Sequence, residues 1–219
     1  MARPTGDHTN ILKTDNWKYA VQGYLASMTF TDAMVGRLLD AFDKSAYTEN
    51  TIIVFWTDHG WHLGEKKHWR KFALWEEATR VPLLIAAPGV TNPGQVCDRP
   101  VSLIDLYPTL IDLCGLPQRS ELDGQSLVPL LKNPTLKWDR PVLTTHGFRN
   151  HALRTDRYRL IQYANGDREF YDHRDDPMEY RNLAQHPRYA DRVAQLAKSL
   201  PQKNAPEAPR EKRTKKKKS

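Results

Sequence analysis

The stretch Thr51-Ile52-Ile53-Val54-Phe55-Trp56-Thr57-Asp58-His59-Gly60 carries most of the information about the fold. From Thr51 to Thr57 the β-branched and aromatic residues run on without alternating with polar ones. Such a run predicts a short strand buried on both faces, as in a parallel sheet. It stops at Asp58-His59-Gly60. Polar side chains set directly after the carboxyl end of a buried strand stand where open α/β sheets build their sites.

Upstream of this stretch, Trp17, Val21, Tyr24, Met28, Val35, Leu38, Leu39 and Phe42 recur at steps of three and four, or their sum. That is the helical period, and it predicts one long amphipathic helix ending near Asn50. Downstream, Val81 to Ala87 closes with Pro88-Gly89 and reads as a second core strand. Asp105 can cap a helix through Leu113, with Pro108 tolerated in its first turn and Gly115 as the stop. Helix, strand, strand and helix in this order predict helices layered on a mostly parallel sheet.

After Pro141 the pattern changes. Val142 to Thr145, Ala152 to Arg154, Tyr158 to Tyr163 and Glu169 to Tyr171 are short strand-like pieces, and Asn165-Gly166 between two of them signals a hairpin. A small antiparallel sheet follows, then a final helix from Pro187 to Leu200 with Tyr189, Val193, Leu196 and Leu200 on one face. The expected organisation is an α/β part over residues 1–138, a small antiparallel α+β subdomain over 139–200, and a disordered basic tail over 201–219.

Length and composition bound the function. A chain of 219 residues, 39% apolar, can bury one sizeable core, or one core and a small satellite. The net charge of +7 at first suggests nucleic acid. Residues 210–219, however, hold seven basic side chains against the single Glu211, so the body is near neutral and presents no phosphate-gripping face. Cys97 and Cys114 make no metal-ligand spacing and are too few for a disulfide-stapled fold. Met1 to Asn10 lacks the apolar core of a signal peptide, and the Val81 to Ala87 run is too short to cross a bilayer. The expectation is a soluble chain without an export signal or membrane span, its localisation otherwise open.

Taken alone, Asp58 and His59 have ordinary readings: Asp58 as a cap and His59 as a packed turn residue. Lys66, Lys67, Arg70 and Lys71 read alone as a solvated basic face. Their neighbours change this. Thr57-Asp58-His59-Gly60-Trp61-His62-Leu63-Gly64-Glu65 is followed by Trp69-Arg70-Lys71 and by Glu77-Ala78-Thr79-Arg80-Val81-Pro82. Further on come Ser102-Leu103-Ile104-Asp105-Leu106-Tyr107-Pro108-Thr109, Leu122-Asp123-Gly124-Gln125-Ser126-Leu127, Arg154-Thr155-Asp156-Arg157-Tyr158-Arg159, and Tyr171-Asp172 to Asn182-Leu183-Ala184. In this order and spacing the chain closely resembles the C-terminal portion of the sulfatase family, of the alkaline-phosphatase-like superfamily, and within it the iduronate-2-sulfatase-like branch.

The resemblance implies a fold: the C-terminal part of an alkaline-phosphatase-like sheet sandwich with a small antiparallel subdomain. It implies an activity, hydrolysis of sulfate esters of a sulfated sugar, and a divalent metal, calcium in most members. Asp58 and His59 match the second pair of metal ligands, and a carboxylate at a strand end suits a hard cation, although histidine is less typical of calcium. Lys71 matches the lysine that contacts the sulfate, where an ammonium neutralises sulfate oxygens and charge on the leaving oxygen. Trp61 either walls the substrate pocket or packs on the strand. His146 is a candidate to face the substrate from the small subdomain. His62 and His68 are expected at the surface or behind the ligands, and Tyr107, Asp105 and the Arg154 to Arg159 run are expected to be structural.

The family nucleophile lies in a Cys/Ser-x-Pro-x-Arg segment. Cys97 leads Asp98-Arg99-Pro100 and Cys114 leads Gly115-Leu116-Pro117, so neither fits, and no serine does. The resemblance therefore implies a chain inactive alone, completed by a missing N-terminal half or a second chain. Two other readings stay open: phosphoester or phosphonate hydrolysis, which the same metal and lysine would serve, and a non-catalytic fragment that binds a sulfated polyanion.

Overall fold

The computed structural model describes residues 5–206. Of the tail expected to be disordered over 201–219, residues 207–219, with the whole basic run, lie outside the described residues. Helix α1 (Gly6–Lys13) starts where the Thr5 side chain accepts a hydrogen bond from the His8 amide. Helix α2 (Trp17–Asp43) is the long helix its periodicity predicts, but none of its 27 residues is buried. Met28, Phe30 and Leu38 are each more than half exposed. The period is a local property of the sequence; burial needs a second surface, and in the C-terminal half of this helix only Val35, Gly36 and Phe42 are even half-buried.

Strand β1 (Ile53–Trp56) forms from the predicted run, with a different neighbour relation. It pairs antiparallel with β4 (Leu83–Ala86), Ile53 opposite Ala86 and Trp56 opposite Leu83. The expectation of a mostly parallel sheet fails for this pair. The chain between the two strands holds no long crossover helix, which a parallel pair requires. It holds the short hairpin of β2 (His62–Leu63) and β3 (Trp69–Arg70), then the single helical turn α3 (Glu76–Thr79). With two strands only, Phe55 and Trp56 stay partly exposed and the double-sided burial is not realised.

Asp105 does cap, though not the predicted turn. Its carboxylate closes a capping box with Ser102 over a 3-10 turn ahead of helix α4 (Leu106–Leu113). The same fully buried carboxylate accepts from the Gln125 amide at 2.9 Å and from Arg140 at 2.6 Å. Gly124 allows this approach, because a Cβ there would stand 2.2 Å from the Ile104 carbonyl oxygen. Helix α5 (Val128–Lys132) follows, entered by the Leu127 amide bonding to the Thr109 hydroxyl. The motifs around Asp105 and Gly124 thus join two loops.

The predicted small sheet is present, with β5 (Val142–Thr145), β6 (His151–Arg154), β7 (Tyr158–Gln162) and β8 (Arg168–Asp172) in sequential antiparallel order. Gly166 takes φ 91° in the β7–β8 turn, a value that suits glycine. One face packs Leu153, Leu160 and Phe170 against Leu183 and against Val193, Leu196 and Leu200 on and after helix α6 (Ala190–Ala197). Each fully buried large side chain contributes roughly 1.5–3 kcal/mol. The opposite face, Ala152, Ile161 and Tyr171, packs on Leu74 and Trp75. The sheet therefore backs directly onto the segment that follows Lys71. No described helix is long and apolar enough to cross a membrane.

Candidate active site

The loop after β1 carries two of the candidate residues, Asp58 and His59. Asp58 Oδ1 lies 3.6 Å from His59 Nε2. His59 Nδ1 lies 2.8 Å from the Gly60 carbonyl oxygen, which makes Nδ1 the protonated nitrogen and leaves the Nε2 lone pair free as an acceptor. Lys71 Nζ occupies it, at 2.8 Å. Asp58, His59 and Lys71 thus converge on one nitrogen although β2 and β3 separate them in sequence.

The backbone beneath is tightly set. The Gly60 amide donates to the Ala78 carbonyl at 2.9 Å, and a Cβ on Gly60 would stand 2.1 Å from the Glu77 carbonyl oxygen. Trp61 lies beside the His59 ring at 6.0 Å and stacks on Tyr24 of α2 at 6.3 Å. It both packs and borders the site. His146 is exposed and reaches the group through Phe72, whose ring is 5.9 Å from it and 5.8 Å from Lys71 Nζ. All five residues singled out in the sequence fall in one neighbourhood. Tyr24 and Phe72 were missed; Phe72 had the signal of following Lys71, whereas Tyr24 had none.

The donor set fits part of a divalent-cation site. Asp58 keeps an exposed carboxylate, whereas the His59 Nε2 lone pair would have to be given up by Lys71 before it could hold a cation. A second acidic cluster, Glu76, His173 and Glu179, brings one ligand atom from each within 4.8 Å. Its carboxylates are already paired. Glu76 is bonded by both Arg154 and Arg159, and Arg159 Nε stands 2.5 Å from Glu179 Oε1 as an ion pair. Burial alone would raise the Glu76 pKa, but the two guanidiniums hold it below the usual carboxylate range. Both carboxylates of this cluster are thus engaged by guanidiniums of the Arg154 to Arg159 run.

One basic-cluster expectation needs correction, and the buried histidine beside the cluster is unusual. His62 is fully buried, with its ring 4.9 Å from His68; burial first, and His68 second, push its pKa down to about 4. Lys66 is not solvated: its ammonium bonds the Tyr171 hydroxyl at 3.0 Å and the Glu179 carbonyl. Arg70 stays at the surface, paired with Asp7.

A family model described as "Sulfatase" matches residues 3–116, more than half of the chain. The chain belongs to the sulfatase family. A second family model, for the C-terminal region of N-sulphoglucosamine sulphohydrolase, matches residues 64–206. A protein of Formosa agariphila described as "Sulfatase" is 44% identical over 195 residues, covering 89% of this chain and 38% of its own length. A structure solved in complex with its substrate D-glucosamine-2-N,6-O-disulfate superposes with a TM-score of 0.69 at 31% identity, over 80% of this chain and 38% of the other. The phosphonate monoester hydrolase of Agrobacterium radiobacter superposes with a TM-score of 0.69 at 27% identity, over 76% of this chain and 37% of its own. The chain thus spans well under half the length of these sulfatase-family relatives, and its fold is the alkaline-phosphatase-like one they share.

Proposed function

We propose that this chain carries one half of a sulfate-ester hydrolysing site acting on a sulfated sugar, as in the iduronate-2-sulfatase-like branch. The observation that supports it best is the convergence of Asp58 and Lys71 on His59 Nε2. Asp58 and His59 are the residues of this chain that would hold a divalent cation, calcium by resemblance, which supplies a Lewis acid to the sulfate group when bound. Lys71 neutralises a sulfate oxygen and stabilises the charge that grows on the leaving oxygen as the S–O bond breaks. Trp61 gives an apolar wall, and His146 with Phe72 borders the sugar from the side of the small sheet. In this reading the chain divides into residues 1–138, residues 139–200 and a basic tail.

The nucleophile is supplied from outside these 219 residues, by an N-terminal half or a second chain, so the chain alone is inactive. The test is aryl sulfate hydrolysis by the chain alone and together with a Cys/Ser-x-Pro-x-Arg segment from a sulfatase N-terminal half. Activity is expected only with both. The likeness to a phosphonate monoester hydrolase supports a second reading, phosphonate or phosphoester hydrolysis. Faster turnover of aryl phosphonate than of aryl sulfate would sink the first reading and establish the second.

A further inference from the structure

Within the basic cluster Lys66, Lys67, Arg70 and Lys71, one ammonium turns inward. Lys66 sits in the tight turn after Gly64, and its Nζ lies 4.7 Å from the ring centroids of both Trp75 and Tyr171. The Tyr171 hydroxyl accepts from Lys66 and donates to Glu169 Oε2 at 2.6 Å, while the Trp75 indole donates to the same oxygen, also at 2.6 Å. The Tyr163 hydroxyl bonds Glu169 Oε1 at 3.2 Å. A satisfied network of this kind, with the cation against two aromatic faces, fixes its members in one arrangement. Burial pushes the Lys66 pKa below the usual lysine range, against the pull of Glu169, Glu179 and Asp176.

The turn itself is strained. Lys66 and Lys67 have φ of 52° and 60°, a left-handed region that a residue with a Cβ holds only when its surroundings enforce it. The surroundings come from two sides. Gly64 lies flat against the Trp17 ring of α2, where a Cβ would stand 2.1 Å from the indole, and Lys66 is anchored in β8 and the turn after it. The hairpin closed by this turn ends at Arg70, and Lys71 is the next residue.

We propose that Lys66 is a positioning residue: its ammonium pins the β2–β3 hairpin to the small sheet and so fixes where Lys71 stands beside His59. The relevance of that position rests on the reading of Lys71 as the sulfate contact. Lys66 itself touches no substrate.

The experiment is amide hydrogen exchange on the 219-residue chain and on Lys66→Met, Lys66→Arg and Lys67→Met, with the acylation rate of the Lys71 amine followed in parallel. Lys66→Met is expected to speed exchange within residues 62–71 roughly tenfold or more, as loss of charged hydrogen bonds implies. Leu160 and Phe170 in the sheet core should stay within about twofold of wild type, because global unfolding sets their exchange. Lys66→Arg should recover most of the protection, Lys67→Met should change nothing, and Lys71 should acylate faster only where 62–71 has loosened. Unchanged exchange in 62–71, or an equal rise across the whole sheet, overturns the proposal. Should Lys66→Met fail to fold, Tyr171→Phe, which keeps the ring and removes the acceptor, must loosen 62–71 in the same selective way, and exchange there like wild type overturns it. Neither readout uses ester hydrolysis. An inactive chain therefore leaves the pin to be judged on exchange alone, and an active one with unchanged exchange refutes the pin and keeps the sulfatase reading.

Discussion

Lys71 Nζ stands 2.8 Å from His59 Nε2, the nitrogen that the Nδ1 contact to the Gly60 carbonyl leaves unprotonated. One lone pair cannot serve both an ammonium and a metal ion. Calcium is therefore expected to compete with Lys71, and to bind weakly, since two protein ligands fall short of the six to eight oxygens calcium takes. Calorimetry should give a dissociation constant weaker than micromolar, lost in Asp58→Ala. A sub-micromolar affinity that Asp58→Ala abolishes would refute the half-site picture.

In a protein that contains this chain and hydrolyses aryl sulfate, Lys71→Ala should lower the catalytic rate on the order of 10²-fold, as for one well-placed donor in a desolvated site. Lys67 is exposed, and Lys67→Ala should change the rate less than about threefold. Equal losses at both positions would show a diffuse basic field instead of one placed ammonium.

Gly60→Ala tests the backbone under His59. The added Cβ would stand 2.1 Å from the Glu77 carbonyl oxygen and 2.9 Å from that of Arg80, both backbone atoms that cannot swing aside. A loss of roughly 1–3 kcal/mol in urea unfolding is expected, the usual range for overpacking. A midpoint equal to wild type would mean the loop has slack.

His62 predicts an acid limb in stability. Its folded pKa of about 4 lies below the ordinary histidine value of 6.5, so between these values the unfolded chain binds the proton first. Stability should fall as pH drops from about 6.5 towards 4 and level off below, with a total on the order of 3 kcal/mol from this group. His68, whose pKa burial also lowers, adds to the same limb. Chemical denaturation across this range should show the slope in wild type and a flatter one in His62→Asn; parallel profiles would refute the assignment.

The sequence by itself determined what is local. Periodicity placed α2 and α6; the Asn165-Gly166 dipeptide placed the β7–β8 turn; the β-branched run placed β1; and the spacing of the motifs identified the family and singled out five candidate residues. Only the tertiary structure decided what depends on distant surfaces. A run of apolar residues states that a strand forms, but its neighbour is set by the connection, and β1 met β4 antiparallel because no crossover helix separates them. An ammonium in a basic cluster looks solvated until the fold brings Tyr171 and Trp75 around it, as happens to Lys66 and not to Lys67. Burial and pairing are properties of two surfaces, and a sequence read along its length shows only one of them at a time.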